Sequence, residues 1–315
     1  MELELKIKVL VFGSNGLVGT SLSRVLSENK NFTVIPSTRN DVDLFDYVAT
    51  KKYLNKISPD IIVNAAAKVG GIYANNTQRL DFVLENLKIN MNILEACVDK
   101  SNTTIINLGS SCIYPLEAEN PIKETSIMNG KLEPTNSPYA MAKLTAIEIG
   151  NALSIQYGHK IINLMPTNLY GPNDNFHPTN SHVIPGLISK FHNGKINNFE
   201  TVKIWGDGSP LREFLYVDDL SNAISFIIEN DINVELLNVG SSEEISILEL
   251  AEIIKNVIGF KGTISFDATK PNGNDRKLLD SSLISSFGWS PKLTLNEGLD
   301  KTYSWYIENY DNLRI

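Results

Sequence analysis

Short apolar runs rich in β-branched residues alternate with amphipathic stretches throughout the first half of the chain. The apolar runs predict strands of a buried parallel sheet, and the longer stretches predict helices because apolar residues recur there near a 3.6-residue period. The predicted strands cover residues 8–12, 33–36, 61–64, 104–108 and 160–164, and the predicted helices cover 17–28, 48–57, 81–99 and 139–157. This alternation predicts an α/β fold with a doubly wound parallel sheet, a Rossmann fold.

The alternation stops after Met165, where a polar stretch rich in Pro, Asn and Gly extends to Pro185. Beyond it the pattern predicts a helix over 184–193, then a strand near 213 that returns to the sheet, followed by a helix. We therefore expect two domains with ligand bound between them. A dinucleotide-binding Rossmann domain would comprise 1–165 plus about 213–235, and a smaller C-terminal α/β substrate domain would comprise 166–212 plus 236–315.

The composition is that of an acidic globular protein, with 315 residues, a formal net charge of −8 and a pI near 5.1. This charge argues against nucleic acid or an anionic membrane as a partner, since both attract basic surfaces. We expect no membrane span, no signal peptide and no metal site. Cys97 and Cys112 lie in unrelated contexts, which predicts reduced thiols in the cytoplasm.

Gly13, Gly16 and Gly19 in the segment GSNGLVG directly follow the first strand and open the first helix. In a dinucleotide-binding loop the first glycine permits a tight turn, the second lets the backbone approach a pyrophosphate, and the third lets helix pack closely on strand. The helix N-terminus adds N–H groups that favour an anion. The alternative, that these glycines serve only a turn, is weaker because the preceding strand, the glycine spacing and the following helix all fit a dinucleotide-binding loop.

The end of the second strand reads VIPSTRND, without the acidic residue there that usually binds the ribose hydroxyls of NAD. It offers Ser37, Thr38 and Arg39 instead, and a cation at this position favours the additional phosphate of NADPH. Asp41 and Asp43 follow closely, and Arg39 as a solvated surface residue is the alternative.

Tyr139 and Lys143 are four residues apart in SPYAMAK, so both side chains project from one face of the predicted helix. A nearby ammonium favours the phenolate of a tyrosine, which predicts a lowered pKa and acid–base chemistry near neutral pH. Ser110 and Ser111 follow the fourth strand at the carboxyl edge of the sheet, where ligands bind. A hydroxyl at that edge can hold a carbonyl oxygen.

The glycine loop, the Ser110 strand end and the Tyr139/Lys143 pair together resemble the extended short-chain dehydrogenase/reductase superfamily. Further segments, among them AAAKVGGIYANN, LGSSCIYP, LEPTNSPYAMAK, GSPLREFLYVDDL and KPNGNDRKLLD, are very similar to the GDP-L-fucose synthase family. This resemblance runs almost end to end. It implies a homodimeric, NADPH-dependent enzyme that epimerises carbons 3 and 5 of GDP-4-keto-6-deoxymannose and then reduces carbon 4.

The resemblance also implies roles for individual residues. Ser110 and Tyr139 would bind the 4-keto oxygen, Lys143 would support Tyr139, and Cys112 and His182 would be the base and acid of epimerisation. Cys112 as a small buried hydrophobe and His177 as a substitute for His182 are the alternatives. The implied cofactor contacts are Gly13, Asn15, Gly16, Leu17, Val18, Gly19, Arg39, Leu108, Ser110, Tyr139, Lys143, Pro166, Asn168, Leu169 and His182. Asn15 stands where many relatives carry Arg, so one expected cofactor contact is missing.

The implied substrate contacts are Asn168, Lys190, Trp205, Arg212 and Arg276. Cations suit a diphosphate and an indole suits a nucleobase. Trp205 can equally be a core residue, and the basic pair Arg276/Lys277 can equally lie in a solvated turn.

Three other functions compete with this interpretation. A reductase of another GDP-4-keto sugar, such as a heptose or colitose precursor, is barely separated from it by sequence. A noncatalytic nucleotide-binding scaffold has no need for Ser110, Tyr139 and Lys143 together. A sugar dehydratase usually has an acidic residue beside the catalytic serine, whereas here Ser111 and Cys112 follow.

Overall fold

The computed structural model describes residues 6–177, 180–270 and 272–313. Its strands are β1 (Ile7–Phe12), β2 (Phe32–Ser37), β3 (Ile61–Asn64), β4 (Thr104–Leu108), β5 (Ile161–Pro166), β6 (Asn168–Tyr170), β7 (Thr201–Trp205), β8 (Leu211–Tyr216), β9 (Leu236–Val239), β10 (Glu244–Ser246), β11 (Thr263–Asp267) and β12 (Arg276–Lys277). Its helices are α1 (Leu17–Ser27), α2 (Tyr47–Ile57), α3 (Ile72–Thr77), α4 (Arg79–Ala96), α5 (Ser137–Tyr157), α6 (Val183–Ile196), α7 (Val217–Glu229), α8 (Ile247–Ile258), α9 (Ser282–Ser286) and α10 (Leu295–Glu308). In the described part, no helix has the length and apolar character needed to cross a membrane.

A six-stranded parallel sheet in the order β2-β1-β3-β4-β5-β9 forms the centre of the molecule. The chain leaves β1 for β2 on one side and then crosses to β3 on the other, which creates a switch point at the carboxyl edge of the sheet. The five strands predicted in the first half all occur, with ends that differ by at most two residues. The predicted Rossmann fold is therefore confirmed.

Successive side chains of each strand point to opposite faces of the sheet, and both faces are covered by helices. Val9 and Val11 pack with the buried side of α1 and α7, whereas Leu10 and Phe12 pack with α2, α4 and α5. Each fully buried side chain of this kind contributes roughly 1.5–3 kcal/mol of transfer free energy. The two apolar cores explain why the strands read as continuous hydrophobic runs.

The strand predicted to return to the central sheet does not do so. This strand, β8, pairs with β6, β10 and β12 in a separate sheet, and β9 takes the sixth central position. Phe214 and Tyr216 of β8 enter a third apolar core beneath α6, α8 and α10, while Leu215 between them faces the core of the central sheet. Hydrophobic alternation shows that β8 is a strand but does not show which sheet it joins. The predicted domain boundary at residue 235 falls directly before β9, and the two-domain division remains a prediction.

The helix predicted over 81–99 corresponds to α4, and the structure has an additional short helix, α3, before it. The α4 helix begins two residues earlier than predicted, at Arg79, and ends three residues earlier, at Ala96. The predicted helix over 184–193 is longer at both ends, as α6.

A buried carboxylate, Glu213 of β8, joins the central sheet to the smaller one. Its side chain accepts hydrogen bonds from the backbone N–H groups of Ser242 at 2.8 Å and Leu279 at 3.0 Å. Its backbone oxygen accepts hydrogen bonds from Thr167 and Asn168, which follow β5. Burial raises the pKa of Glu213, and these hydrogen bonds partly offset that effect. The residue therefore holds together three segments that surround the carboxyl edge of the sheet.

We predict that Glu213→Ala lowers the free energy of unfolding by about 2–4 kcal/mol, because buried N–H groups lose their acceptor. Urea titration followed by circular dichroism measures this change. Glu243→Ala is the matched control, since Glu243 is exposed and its removal is expected to change the free energy by less than about 0.5 kcal/mol. Equal effects of the two substitutions would contradict the role given to Glu213.

Candidate active site

A large cleft lies at the carboxyl edge of the central sheet, bounded by the loops after β1, β2, β3, β4 and β5 and by the start of α6. Its volume of about 1230 Å³ exceeds the roughly 300–1,000 Å³ of most small-molecule pockets, so it has room for two ligands side by side. The cleft is lined by Gly13, Asn15, Gly16, Leu17, Val18, Arg39, Leu108, Ser110, Cys112, Tyr139, Lys143, Pro166, Asn168, Leu169, His182, Lys190, Trp205 and Arg212. Gly19 and Arg276 are the predicted site residues that do not line it.

The glycine loop has the geometry that a bound pyrophosphate requires. Gly13 has a φ of +77°, and a Cβ there would lie 2.8 Å from the carbonyl of Ala65. A Cβ on Gly19 would lie 2.1 Å from the oxygen of Gly13, so Gly19 serves the close packing of α1 on the loop. Gly16 is the N-cap of α1, no side chain caps this terminus, and its first turn carries no acidic residue. The N–H groups at the start of α1 are thus directed at an anion in the cleft.

The carboxylate that follows the second strand is turned away from the cleft. Asp41 accepts hydrogen bonds from the backbone N–H and the hydroxyl of Thr38, both at 2.8 Å. These bonds lower the pKa of Asp41. Asp43 accepts the N–H of Phe45 and, unlike Asp41, lines the cleft. Arg39 is the exposed cation that lines the cleft here, which is the arrangement suited to a ribose phosphate.

Ser110, Tyr139 and Lys143 meet where β4 ends and α5 begins. The buried ammonium of Lys143 donates a hydrogen bond to the backbone oxygen of Leu108 at 2.6 Å, and its Nζ lies 5.8 Å from the centroid of the Tyr139 ring. Tyr139 packs edge-on against Phe82, with ring centroids 6.3 Å apart. Burial lowers the pKa of Lys143 to about 8. The trio is held by both packing and hydrogen bonds.

The predicted lowering of the Tyr139 pKa is wrong for this structure. Burial raises the pKa of Tyr139, the neighbouring Cys112 raises it further, and a hydrogen bond with Ser110 opposes both effects. The ammonium of Lys143 does not reverse this; its Nζ lies over the face of the Tyr139 ring, 5.8 Å from the centroid, and donates to the Leu108 carbonyl oxygen. Tyr139 is consequently protonated at neutral pH, which suits a group that donates a proton.

The two cysteines occupy contrasting surroundings. Cys97 is fully buried, and burial raises its pKa to about 12. Cys112 is half-buried and lines the cleft. The alternative interpretation as a small buried hydrophobe therefore does not fit Cys112, whereas it does fit Cys97. The Sγ of Cys112 lies 3.6 Å from Nζ of Lys277 and 3.7 Å from Nδ2 of Asn136. Sequence reasoning did not identify either contact.

Among the histidines, His182 lies at the cleft as the N-cap of α6. The residue is exposed toward the cleft, and the protein packed around the imidazole lowers its pKa by desolvation. His177 accepts the N–H of Asn180 and lies outside the cleft lining. His159 and His192 are both buried away from the cleft, against the Val98 carbonyl and a tyrosine cluster respectively.

The far end of the cleft is cationic and aromatic. Nζ of Lys190 lies 5.3 Å from the ring centroid of Trp205, and Nζ of Lys270 lies 5.6 Å from it. Trp205 is 37% exposed, so the alternative of a core residue is wrong. Burial lowers the pKa of both Lys190 and Arg212. Buried cations beside an exposed indole are what a nucleoside diphosphate requires.

The side chains of Arg276 and Lys277 point in opposite directions because they are successive residues of strand β12. Arg276 forms a two-pronged ion pair with Glu244, with Nε 2.8 Å from Oε2 and Nη2 2.7 Å from Oε1, away from the cleft. Lys277 lines the cleft. Strand alternation is the signal that distinguishes the two residues once β12 is recognised, but a two-residue strand is too short to recognise from sequence.

Comparison with known proteins agrees with this geometry. The model of the NAD dependent epimerase/dehydratase family matches residues 9–240. The chain belongs to this family. It is 46% identical over 305 residues to GDP-L-fucose synthase 1 of Arabidopsis thaliana, covering 97% of this chain and 94% of that protein. This likeness places it in the GDP-L-fucose synthase group of the family, as its motifs predict.

Two solved structures of family members share the whole fold. A GDP-L-fucose synthetase from Naegleria fowleri bound to NADP has a TM-score of 0.87 at 28% identity, covering 100% of this chain and 98% of that one. A GDP-6-OMe-4-keto-L-xylo-heptose reductase from C. jejuni has a TM-score of 0.90 at 29% identity, covering 97% and 99%. The architecture is therefore common to both of these enzymes.

The buried charge of Lys143 predicts a pH-dependent stability. Its pKa falls from 10.5 in the unfolded chain to about 8 in the folded protein, so the folded state binds this proton less tightly. The penalty for the cation is complete below pH 8 and disappears as the pH rises from 8 to 10.5. We expect Lys143→Met to raise the free energy of unfolding by about 2 kcal/mol at pH 7, after subtraction of the lost hydrogen bond.

Urea titrations of both proteins between pH 6.5 and about 10 measure this difference. The difference in the free energy of unfolding between Lys143→Met and the wild type should narrow steadily as the wild-type lysine loses its proton. Lys203→Met, at an exposed lysine, should give a difference that stays near zero. A difference for Lys143→Met that is constant with pH would contradict a buried ammonium.

Proposed function

We propose that this protein reduces the 4-keto group of a GDP-4-keto-6-deoxy sugar with NADPH, after epimerising carbons 3 and 5, as a GDP-L-fucose synthase does. The observation that carries the proposal is that one cleft contains the glycine loop, the trio of Ser110, Tyr139 and Lys143, and the pair of Cys112 and His182. The likeness to the Arabidopsis enzyme over nearly the full chain supports the substrate class.

NADPH fits the half of the cleft that begins at the glycine loop. The uncapped start of α1 suits its pyrophosphate, and Arg39, with Asp41 turned away, suits its additional phosphate. The bound cofactor supplies the hydride for carbon 4. The other residues that we assign to it are Asn15, Leu17, Val18, Leu108, Pro166, Asn168, Leu169 and His182, while Gly19 acts by packing α1.

In the reduction, Ser110 and Tyr139 hold the 4-keto oxygen by hydrogen bonds. Tyr139 carries a proton at neutral pH because burial raises its pKa, and it gives this proton to the oxygen as the hydride reaches carbon 4. A phenolate remains on Tyr139. The ammonium of Lys143 stabilises that phenolate, since opposite charges attract strongly in a site with little water.

In the epimerisation, the carbons beside the ketone lose and regain a proton. The Cys112 thiolate removes the proton, and the electrons of the broken C–H bond move to the 4-keto oxygen, which Ser110 and Tyr139 stabilise. His182 in its imidazolium form then supplies a proton to the opposite face of the same carbon, so the configuration inverts, and exchange with solvent returns Cys112 to the thiolate and His182 to the imidazolium. These two groups come from separate elements, the turn after β4 and the start of α6.

The nucleotide occupies the cationic end of the cleft. We assign the diphosphate to Lys190 and Arg212, the base to Trp205 and a sugar contact to Asn168. Arg276 is committed to Glu244, so the role implied for it by resemblance is better filled by its neighbour Lys277.

The alternative is reduction of a GDP-4-keto-heptose without epimerisation. The fold shared with the C. jejuni heptose reductase favours it. The presence of both Cys112 and His182 in the cleft favours the epimerase, because reduction alone has no use for a carbon acid–base pair.

The test is turnover of GDP-4-keto-6-deoxymannose in deuterium oxide, followed by NADPH absorbance and by NMR of the product. We expect GDP-L-fucose with deuterium at carbons 3 and 5, and a higher kcat/KM with NADPH than with NADH. Product without deuterium would remove the epimerase, and preference for NADH would contradict the role of Arg39. No turnover, with turnover of a GDP-4-keto-heptose instead, would establish the alternative.

We also propose that the enzyme is a homodimer formed through α4 and α5, which pack side by side. Apolar side chains remain exposed on these helices, namely Leu80, Leu84, Met91, Met141 and Ile155. Sedimentation should give twice the chain mass of 34.9 kDa. Leu84→Glu should yield monomers, whereas Ile307→Glu, at an exposed position of α10, should not. A monomeric wild type would contradict the proposal.

A cytoplasmic location accords with the cysteines. Cys97 and Cys112 are both free. Reducing conditions in the cytoplasm keep such thiols available, and Cys112 needs to be a free thiol for the role proposed here.

A further inference from the structure

The sulfur of Cys112 is approached by two nitrogen donors. Nζ of Lys277 lies 3.6 Å away and Nδ2 of Asn136 lies 3.7 Å away, on β12 and at the start of α5 respectively. An ammonium carries only donors, and a side-chain amide nitrogen donates as well. A sulfur that receives hydrogen bonds from two donors is in surroundings that suit a thiolate better than a thiol.

Lys277 is fixed in this position by its neighbours along the chain. Strand β12 pairs with β8 in a register that sets Lys277 beside Arg212. The next residues are held as well, since Leu278 donates its N–H to Asn120 at 2.8 Å and Leu279 donates to Glu213 at 3.0 Å. The contact between Lys277 and Cys112 is therefore built into the sheet.

Asn136 gives independent support. Its Nδ2 faces the sulfur, while its Oδ1 is buried and has no hydrogen-bond partner in the described structure. A buried acceptor without a partner is unfavourable by about 1–3 kcal/mol. The fold nevertheless holds Asn136 with its amide hydrogens directed at the sulfur of Cys112.

The other charged or titratable groups around the sulfur come from several elements. Arg212 of β8 is a buried cation that interacts with Cys112, and Tyr139 of α5 interacts with it as well. His182 at the start of α6 lines the same cleft. Glu133 lines the cleft as well, and its carboxylate accepts the backbone N–H of Asn136 at 3.0 Å. Of Arg212, Glu133 and Lys277, it is Lys277 that directly contacts the sulfur.

We propose that Lys277 is a positioning residue that holds Cys112 as the thiolate required to remove a proton from the sugar. The proposal rests on the proposed function, in which Cys112 is the epimerisation base. It assigns the lysine of β12 to the chemistry at the ketone in addition to any contact with the diphosphate.

The rate at which iodoacetamide alkylates Cys112 tests this proposal without substrate or cofactor. Peptide mass spectrometry of the full-length protein follows Cys112 separately from the buried Cys97. We expect Lys277→Met to react about tenfold more slowly at pH 7, since the sulfur loses the opposite charge beside it. Lys277→Arg should restore most of the rate, and Lys203→Met should react like the wild type.

The reagent is uncharged, so attraction of the reagent to Lys277 does not contribute. A wild-type rate in Lys277→Met would overturn the proposal, as would equal slowing in Lys277→Arg, which would indicate packing rather than charge. Exchange of deuterium into the substrate separates this proposal from the proposed function. If alkylation behaves as expected and the wild type exchanges nothing into the sugar, then the epimerase is wrong and the Lys277 contact remains.

Discussion

The hydrogen bond from the buried ammonium of Lys143 to the carbonyl oxygen of Leu108 is the constraint on which the cleft depends. It ties helix α5 to the end of strand β4, and apart from His182 the groups that act on the ketone and its neighbouring carbons lie within a few residues of one end of this bond. Tyr139 is one turn before Lys143, and Ser110 and Cys112 follow Leu108 directly. A buried cation is unfavourable for folding, so the Lys143 ammonium lowers the stability of the protein while its hydrogen bond fixes α5 relative to β4.

Burial within the protein determines which protonation state Tyr139 and His182 favour. Loss of water raises the pKa of Tyr139 and lowers that of His182, so each favours its neutral form. A neutral phenol is a proton donor for the oxygen. Cys112 differs because cations and amide hydrogens approach its sulfur. One cleft therefore contains a proton donor for the ketone oxygen and a sulfur suited to accept a proton, and inversion of a carbon additionally requires that His182 take up a proton.

Much of this could be predicted from sequence because the signals are local. The glycine loop, the strands and the spacing of Tyr139 and Lys143 each depend on residues close together in the chain. The failures involve distant parts of the chain. The sheet that β8 joins depends on its pairing with β6, β10 and β12, and the direction of the Tyr139 pKa depends on burial that no motif records. Lys277 lines the cleft and Arg276 does not, and this difference depends on a strand of only two residues.

The central claim is that two chemistries share one cleft, in which Tyr139 supplies the proton of the reduction and Cys112 removes the proton of the epimerisation. It is tested most directly by comparing Tyr139→Phe with Cys112→Ser, using GDP-4-keto-6-deoxymannose in deuterium oxide. The account predicts that Tyr139→Phe still exchanges deuterium into carbons 3 and 5, more slowly because Ser110 alone then holds the 4-keto oxygen, while reduction nearly stops, and that Cys112→Ser loses the exchange. Loss of both activities in both variants, with the fold intact, would contradict it.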